Sequence, residues 1–321
     1  MNRIWYHPNI LKYFLYPFSL VYCLIIFIRQ FLYKIKLLKA HHVNAPVIVV
    51  GNITVGGTGK TPLVITLIDE LNKHGFHPGI ILRGYRGKSK TWPQYVDAKS
   101  DPILVGDEAV LLTTKTKVPV MAGPNRVTSA EKLIADYHCD VIVSDDGLQH
   151  YSLARDIEIA VIDSSRRFGN GFCLPAGPLR EPISRLKTVD FIVANGKTNP
   201  GEFEMKFVIS DVVSIVDGRV IRVDEIRKCK KIFAIAGIGN PERFFESLRS
   251  LNLLFETKIF PDHYQFQKKD FDVLDADVIL MTEKDAIKCR DFADHRLYAL
   301  TGQAEMDVRL LDLIITRLKL G

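Results

Sequence analysis

The residues Gly56-Gly-Thr-Gly-Lys60 and the Thr61 that follows are of types and spacing that hold phosphate. Glycines let backbone N–H groups wrap phosphate oxygens. A lysine at that point reaches the β- and γ-phosphates of a nucleotide, and a hydroxyl beside it ligates Mg²⁺. Thr54, Val55, Gly56, Gly57, Thr58, Gly59, Lys60 and Thr61 are therefore the candidate nucleotide-binding residues. The strict P-loop spacing places glycine where this chain has Thr54, a departure from the pattern. A second candidate is Asp145-Asp146-Gly147, which follows the apolar run Val141-Ile-Val-Ser144. A carboxylate at the end of a buried strand is where a P-loop enzyme holds its Mg²⁺, although Asp-Gly alone also reads as an ordinary turn.

These groups need a frame. Pro46-Val-Ile-Val-Val-Gly51 reads as a buried strand entering the glycine loop, and Pro62–Leu71 as the helix leaving it, with Pro62 in the first turn where proline is tolerated. Apolar runs at Ile157–Ile162 and Phe191–Ala194 supply more strands, and Ser129–Tyr137 reads as a helix between strands. The expected fold is α/β: a P-loop NTPase-like parallel sheet with helices on both faces, a smaller C-terminal α/β domain, and an N-terminal membrane-associating helix. The predicted divisions are a helical arm over 1–45, a P-loop domain over 46–206, a β-hairpin linker over 207–228 turning at Asp217-Gly218, and a C-terminal domain over 229–321. In that last part, 231–236 and 278–282 read as strands, 296–300 as another, and 308–318 as an amphipathic helix. The Gly237-Ile-Gly239 turn lacks the full dinucleotide fingerprint and is taken as structural.

Charge separates the arm from the rest. Residues 1–45 carry six basic residues and no acidic one, which accounts for the entire net charge of +6 on a 321-residue chain. A nucleic-acid binder would carry its basic stripe on the folded body, so no nucleic-acid partner is expected. The arm's uncharged stretch, Tyr13–Ile28, is sixteen residues and contains Pro17. That is short of the ~20 residues needed to span a bilayer. The basic-apolar mix over Arg29–Lys39 suits an interfacial anchor on an anionic surface. A true span or a helix packed on its own domain are the alternatives. The five cysteines show no paired spacing, as expected of buried thiols in a reducing compartment.

Two P-loop classes fit poorly. The guanine motif of GTPases is approached only by Thr282-Glu-Lys-Asp285, where the spacing fails. The early loop lysine of partitioning ATPases is replaced by Val55. Six strings occur in one order: Gly51–Pro62, Arg83-Gly-Tyr-Arg-Gly87, Gly106-Asp-Glu108, Asp145-Asp-Gly-Leu-Gln-His150, Leu174-Pro-Ala-Gly-Pro-Leu-Arg-Glu-Pro182 and Phe260-Pro-Asp-His-Tyr264. With the apolar-basic arm, the chain resembles the tetraacyldisaccharide 4'-kinase (lipid A 4'-kinase) family over nearly its whole length. The resemblance implies transfer of the γ-phosphate of ATP, with Mg²⁺, to the 4'-hydroxyl of a tetraacylated glucosamine disaccharide 1-phosphate. It implies a membrane-embedded glycolipid acceptor, the cytoplasmic face of the bacterial inner membrane as location, peripheral or monotopic, and no obligate protein partner.

By the same resemblance Lys60, Asp107, His263 and Asp146 are catalytic, with Asp107 the general base oriented by His263. Thr61, Asp145 and Glu108 would hold metal, and Arg83, Arg126, Gln149 and His150 would bind the acceptor. Read alone, Asp107 is equally a helix N-cap, His263 a loop histidine with a structural bond, and Arg83 and Arg86 solvated residues. His41, His42, His74, His77, His138 and His295 show no partner pattern. Because Asp107 and His263 fall in different predicted domains, their meeting is expected to require closure about 207–228.

Overall fold

The computed structural model describes residues 5–7 and 9–320; Arg3, one of the arm's six basic residues, lies outside them. Thirteen strands form one sheet: β1 (Val47–Gly51), β2 (Pro78–Leu82), β3 (Gln94–Val96), β4 (Val120–Ala122), β5 (Val141–Asp145), β6 (Ile157–Asp163), β7 (Phe191–Asn195), β8 (Phe203–Ser214), β9 (Val220–Ile221), β10 (Ile232–Ala236), β11 (Glu256–Ile259), β12 (Val278–Thr282) and β13 (Leu297–Met306). The helices that matter for the site are α1 (Leu11–Lys34), α2 (Lys60–Lys73), α3 (Asp107–Thr116), α4 (Arg126–Tyr137), α5 (Pro241–Ser250), α6 (Glu283–Ile287) and α7 (Val308–Leu320).

The strand order is β11-β10-β12-β13-β8-β7-β6-β1-β5-β2-β4-β3, with β9 paired to β8. From β7 to β4 all neighbours run parallel, so β1 lies centrally between β5 and β6. Strand β1 is buried on both faces, as expected of an all-apolar run in a parallel sheet. Its side chains alternate: Ile48 and Val50 join a core built with Leu63 and Leu67 of α2, Ala109 of α3 and Leu310 of α7. Val47 and Val49 join the opposite core with Leu133 of α4 and, at its edge, Tyr22 of α1. Helices therefore cover both faces, and the strand C-terminal ends carry the glycine loop and Asp145, where an α/β sheet places its ligand.

The segment expected as a hairpin linker differs from expectation. Strand β8 begins at Phe203, before the predicted boundary, pairs parallel with β7 and runs antiparallel to β13 over nine residue pairs with a register shift at Thr301/Gly302. The turn at Asp217-Gly218 and its return strand β9 are present, but β8 is an interior strand of a shared sheet. The apolar alternation that signalled a hairpin also serves pairing with a strand about 90 residues away, and local sequence does not distinguish the two. Beyond the seam, β10, β12 and β13 pack against α5 on one face and α6 on the other.

Helix α1 also departs from expectation. It passes through Pro17 without ending and runs 24 residues, long and apolar enough by length and composition to cross a membrane. Proline removes one hydrogen bond near the start, a loss a long helix absorbs. Phe14, Phe18, Val21, Ile25 and Phe27 stand exposed. The opposite side docks on the body through few points. The Ser19 hydroxyl donates to the Cys173 carbonyl at 2.8 Å and accepts from the Ala176 N–H at 3.0 Å. Tyr22 Oη donates to the Arg180 carbonyl at 2.9 Å, and Gln30 Nε2 to Glu181 Oε1 at 2.7 Å. Of the five cysteines, Cys139, Cys173 and Cys289 are buried and Cys23 and Cys229 half-buried, all as free thiols.

Ser19→Val should leave the buried Ala176 N–H without a partner and the Cys173 carbonyl with only the Gly177 N–H, at a cost of about 1–3 kcal/mol. Denaturant unfolding in detergent is expected to show that loss, with faster proteolysis between α1 and β1. Unchanged values on both measures would mean α1 is not held by this contact.

Candidate functional site

The glycine loop is shaped by its neighbours. Gly56 and Gly59 take φ of 105° and 93°, a region L-residues rarely adopt. A Cβ on Gly59 would sit 2.1 Å from Asn195 Nδ2, which donates to the Thr58 carbonyl at 3.1 Å. Thr54 forms an antiparallel bridge to Leu179 and is buried, with Val55 N–H donating to the Pro178 carbonyl at 2.8 Å. Its backbone is extended there, which is why a β-branched residue replaces the usual glycine. Arg180 N–H bonds the Ile53 carbonyl at 2.7 Å, so the segment from Cys173 to Pro182 straps the loop on one side and α1 on the other.

Lys60 opens α2 and points its ammonium at Asp146 Oδ1, 3.3 Å away, and Asn52 Oδ1, 3.4 Å away. Asp146 has a left-handed φ of 49° just past β5. Burial opposes its charge, but Lys60 and a two-oxygen contact from Arg180 Nη1 at 2.8 and 3.0 Å hold its carboxyl well below the usual range. Asp145 behaves oppositely. Burial and the facing Glu108 charge push it up to about 7 against the pull of Lys60, and its Oδ1 is buried with no hydrogen-bond partner. An orphaned carboxylate oxygen beside a phosphate loop is a fitting ligand for a cation. Among the described residues no three His, Cys, Asp or Glu side chains group to hold a metal alone. Mg²⁺ sites of this kind need only one or two carboxylates plus the nucleotide's phosphates.

Asp107 is the first residue of α3, with Gly106 in the cap position, so its carboxylate faces a helix N-terminus that favours negative charge. His263 Nδ1 lies 3.0 Å from Asp107 Oδ2, and both side chains are about nine-tenths buried. Burial pushes Asp107 up, but the His263 hydrogen bond and the Lys284 charge outweigh it and hold the carboxyl at about 2. Tyr85 packs edge-on against the imidazole at 5.4 Å. The His263 N–H donates to the Gly237 carbonyl, and a Cβ on Gly239 would lie 3.2 Å from both Asp262 Oδ2 and Gly57 N. The Gly237-Ile-Gly239 turn, expected to be merely structural, thus brings the His263 loop against the phosphate loop. Arg166 closes the same seam, donating to the Gly239 carbonyl at 3.1 Å and to Asn240 Oδ1 at 2.6 Å, and Arg86 donates to the Asp262 carbonyl at 2.9 Å.

The four expected acceptor residues fall into different settings. Arg126 is fully buried; its Nη2 donates to the Asp146 carbonyl at 3.0 Å and its Nη1 to the Ser144 hydroxyl. It braces the turn after β5 through these bonds. Gln149 Nε2 is committed to the Asn52 carbonyl at 3.1 Å and Glu181 Oε2 at 2.7 Å. Buried Glu181 also accepts from Gln30 and Tyr151. His150 lines a cleft of about 650 Å³ with His41, Asn125, Glu131 and Ser152, and its Nε2 meets Ser152 Oγ at 3.0 Å. Arg83 is exposed, and its charge is felt at His150. Of the histidines set aside earlier, His41 joins this cleft. Arg180, Glu181 and Lys284 carried no assigned role in sequence; for Lys284 the signal was the Thr282-Glu-Lys-Asp285 string itself.

His150 is pushed down to about 4 by burial first and then by the charges of Arg126, Arg155, Arg29 and Arg83. Its unfolded value is near 6.5, so the folded state binds fewer protons and stability falls as pH drops through 6.5 toward 4. His150→Gln should narrow the gap in melting temperature between pH 7.5 and about pH 5. An equal gap in wild type and variant would count against this.

The sequence profile of the tetraacyldisaccharide-1-P 4'-kinase (LpxK) family matches residues 11–319. A protein named tetraacyldisaccharide 4'-kinase from Nitrosococcus oceani is 51% identical over 291 residues, covering 91% of this chain and 86% of its own. One of the same name from Methylobacillus flagellatus is 45% identical, covering 99% and 95%. A crystal structure of LpxK from Aquifex aeolicus in complex with ATP superposes with a TM-score of 0.80 at 29% identity, covering 96% of this chain and all of that one. A phosphate loop, a facing aspartate pair and a buried Asp–His pair, on a chain matched almost end to end, place it in one family: the chain belongs to the tetraacyldisaccharide-1-P 4'-kinases.

Proposed function

We propose that this chain transfers the γ-phosphate of ATP to the 4'-hydroxyl of a tetraacylated glucosamine disaccharide 1-phosphate, a phosphotransferase step of lipid A synthesis. The observation that carries the catalytic reading is the buried Asp107–His263 contact, 3.0 Å long, set beside the phosphate loop.

In this reading the glycine loop and Lys60 bind the triphosphate. Thr61, Asp145 and Glu108 would hold Mg²⁺, the Glu108 charge being felt at Asp145. When bound, the metal neutralises charge on the β- and γ-phosphates. The acceptor oxygen attacks the γ-phosphorus, the bond to the β-phosphate oxygen breaks, ADP leaves, and the hydroxyl proton passes to Asp107. A carboxylate held near 2 is a weak base, yet it is ionised at any working pH. In a loose transition state the proton departs late, when the oxygen already bonded to phosphorus is strongly acidic. Arg180 and Arg126 keep Asp146 placed against Lys60. His150 and Arg83 face the side where a sugar phosphate would enter, arginine being suited to phosphate.

The exposed apolar face of α1 supports membrane association, and its basic residues support an anionic, cytoplasmic leaflet of the inner membrane. The two cores around β10 and β12 support a second body within 229–321 that closes on ATP against 46–206 about 207–228, with Ala304 of β13 and Leu310 and Ile314 of α7 reaching into the core of the first.

Transfer of labelled γ-phosphate from ATP to a tetraacyl disaccharide 1-phosphate in detergent micelles tests the assignment. Labelled lipid is expected with wild type and not with Lys60→Ala; ATP hydrolysis without labelled lipid would overturn the acceptor. Asp107→Ala and His263→Ala should each lower kcat by about 10²–10⁴, and the double variant should lose little more than the worse single. Losses that multiply would remove the Asp–His unit.

A further inference from the structure

The three consecutive side chains of α6 reach three different partners. Glu283 pairs with Lys115 of α3. Asp285, fully buried, accepts from the Gly237 N–H at 2.9 Å and pairs with buried Lys288 at 2.6 Å. Through the His263 N–H bond to the Gly237 carbonyl, that anchors the histidine loop. Between them Lys284 turns its ammonium into the reaction centre, 2.9 Å from Glu108 Oε1, 3.4 Å from His263 Nε2 and 4.0 Å from Asp107 Oδ2.

An ammonium only donates. Its approach to His263 Nε2 favours a lone pair on that nitrogen over the proton that Asp262 Oδ1, 3.8 Å away, would draw there, which leaves the ring proton on Nδ1, the atom 3.0 Å from Asp107. The same cation offsets the repulsion between the adjacent Asp107 and Glu108 carboxylates. It arrives from the C-terminal half of the chain, on the helix that anchors the His263 loop.

We propose that Lys284 is a positioning residue for phosphoryl transfer, fixing the Nδ1–H form of His263 and holding Asp107 and Glu108 in place against their mutual repulsion. This rests on the reading of Asp107 as base and His263 as its orienter. Lys284 touches neither nucleotide nor acceptor in this role, so its removal changes turnover and not affinity.

Lys284→Met should lower kcat by about 100-fold, the loss expected when a catalytic group is displaced by around 1 Å. KM for ATP and acceptor should stay within about threefold. Lys284→Arg, which keeps a charged donor, should recover at least about tenfold of that loss. In a His263→Gln background Lys284→Met should cost no more than about threefold further, because the two act as one unit. In ¹⁵N spectra of histidine-labelled protein, His263 should show an unprotonated Nε2 in wild type and a mixture of ring forms in the methionine variant. If that variant does not melt cooperatively, Lys284→Gln, which keeps an uncharged donor, takes its place with the same split of kcat against KM. A kcat near wild type, a loss confined to KM, or a full further loss in the His263→Gln background overturns the proposal. Asp107→Ala run alongside separates the two levels: if it stays active the base assignment fails, and if only it is inactive the Lys284 role fails alone.

Discussion

Four carboxylates, Asp107, Glu108, Asp145 and Asp146, converge where a triphosphate must also bind, and the rest of the structure is arranged around keeping that charge in place. Each is handled differently. Asp146 is gripped by Lys60 and Arg180, Asp107 by His263 and Lys284, and Glu108 by Lys284 alone. Asp145 is left with an unpartnered oxygen in the interior. A buried charge without a partner is expensive, so the cations cannot be incidental. They come from α2, the Cys173–Pro182 strap and α6, parts of the chain far apart in sequence.

The strap explains why the arm and the chemistry belong to one construction. Its carbonyls and N–H groups bond Ser19 and Tyr22 on one edge and Ile53 and Val55 on the other, while the Arg180 side chain ends on Asp146. Glu181 repeats the arrangement, gathering Gln30 from the arm and Gln149 from the turn after β5. An exposed apolar helix is thus linked, by hydrogen bonds at either end of Arg180, to the carboxylate that faces Lys60.

What was legible in sequence is what depends on neighbours along the chain. The β1–loop–α2 unit and the run into Asp145 are local patterns, and they appear where they were expected. The resemblance marked Asp107 and His263, and the structure places them in contact. The partners of Arg126 and Gln149 were not legible: the resemblance marked both for the acceptor, but that they also bond Ser144 and Glu181 is decided by contacts which only the folded chain brings alongside. Lys284 was hidden because its string resembled a failed guanine motif. The short strands β2 and β4, and the role of β8, were unreadable because their pairing lies outside any local window.

The β8–β13 seam sets the mechanical character of the molecule. A flexible linker would let two bodies swivel in any direction. Nine antiparallel pairs instead bind the halves edge to edge, and inter-strand hydrogen bonds lie along the direction in which the halves would be pulled apart and across the one in which they would slide. Such a joint is stiff within the plane of the sheet and compliant only to twisting and bending out of it, with the irregularity at Thr301/Gly302 as its softest point. The same seam fixes the register in which the strand leading to α6 is presented to the first half, so the histidine loop meets α3 through a sheet and not through a tether.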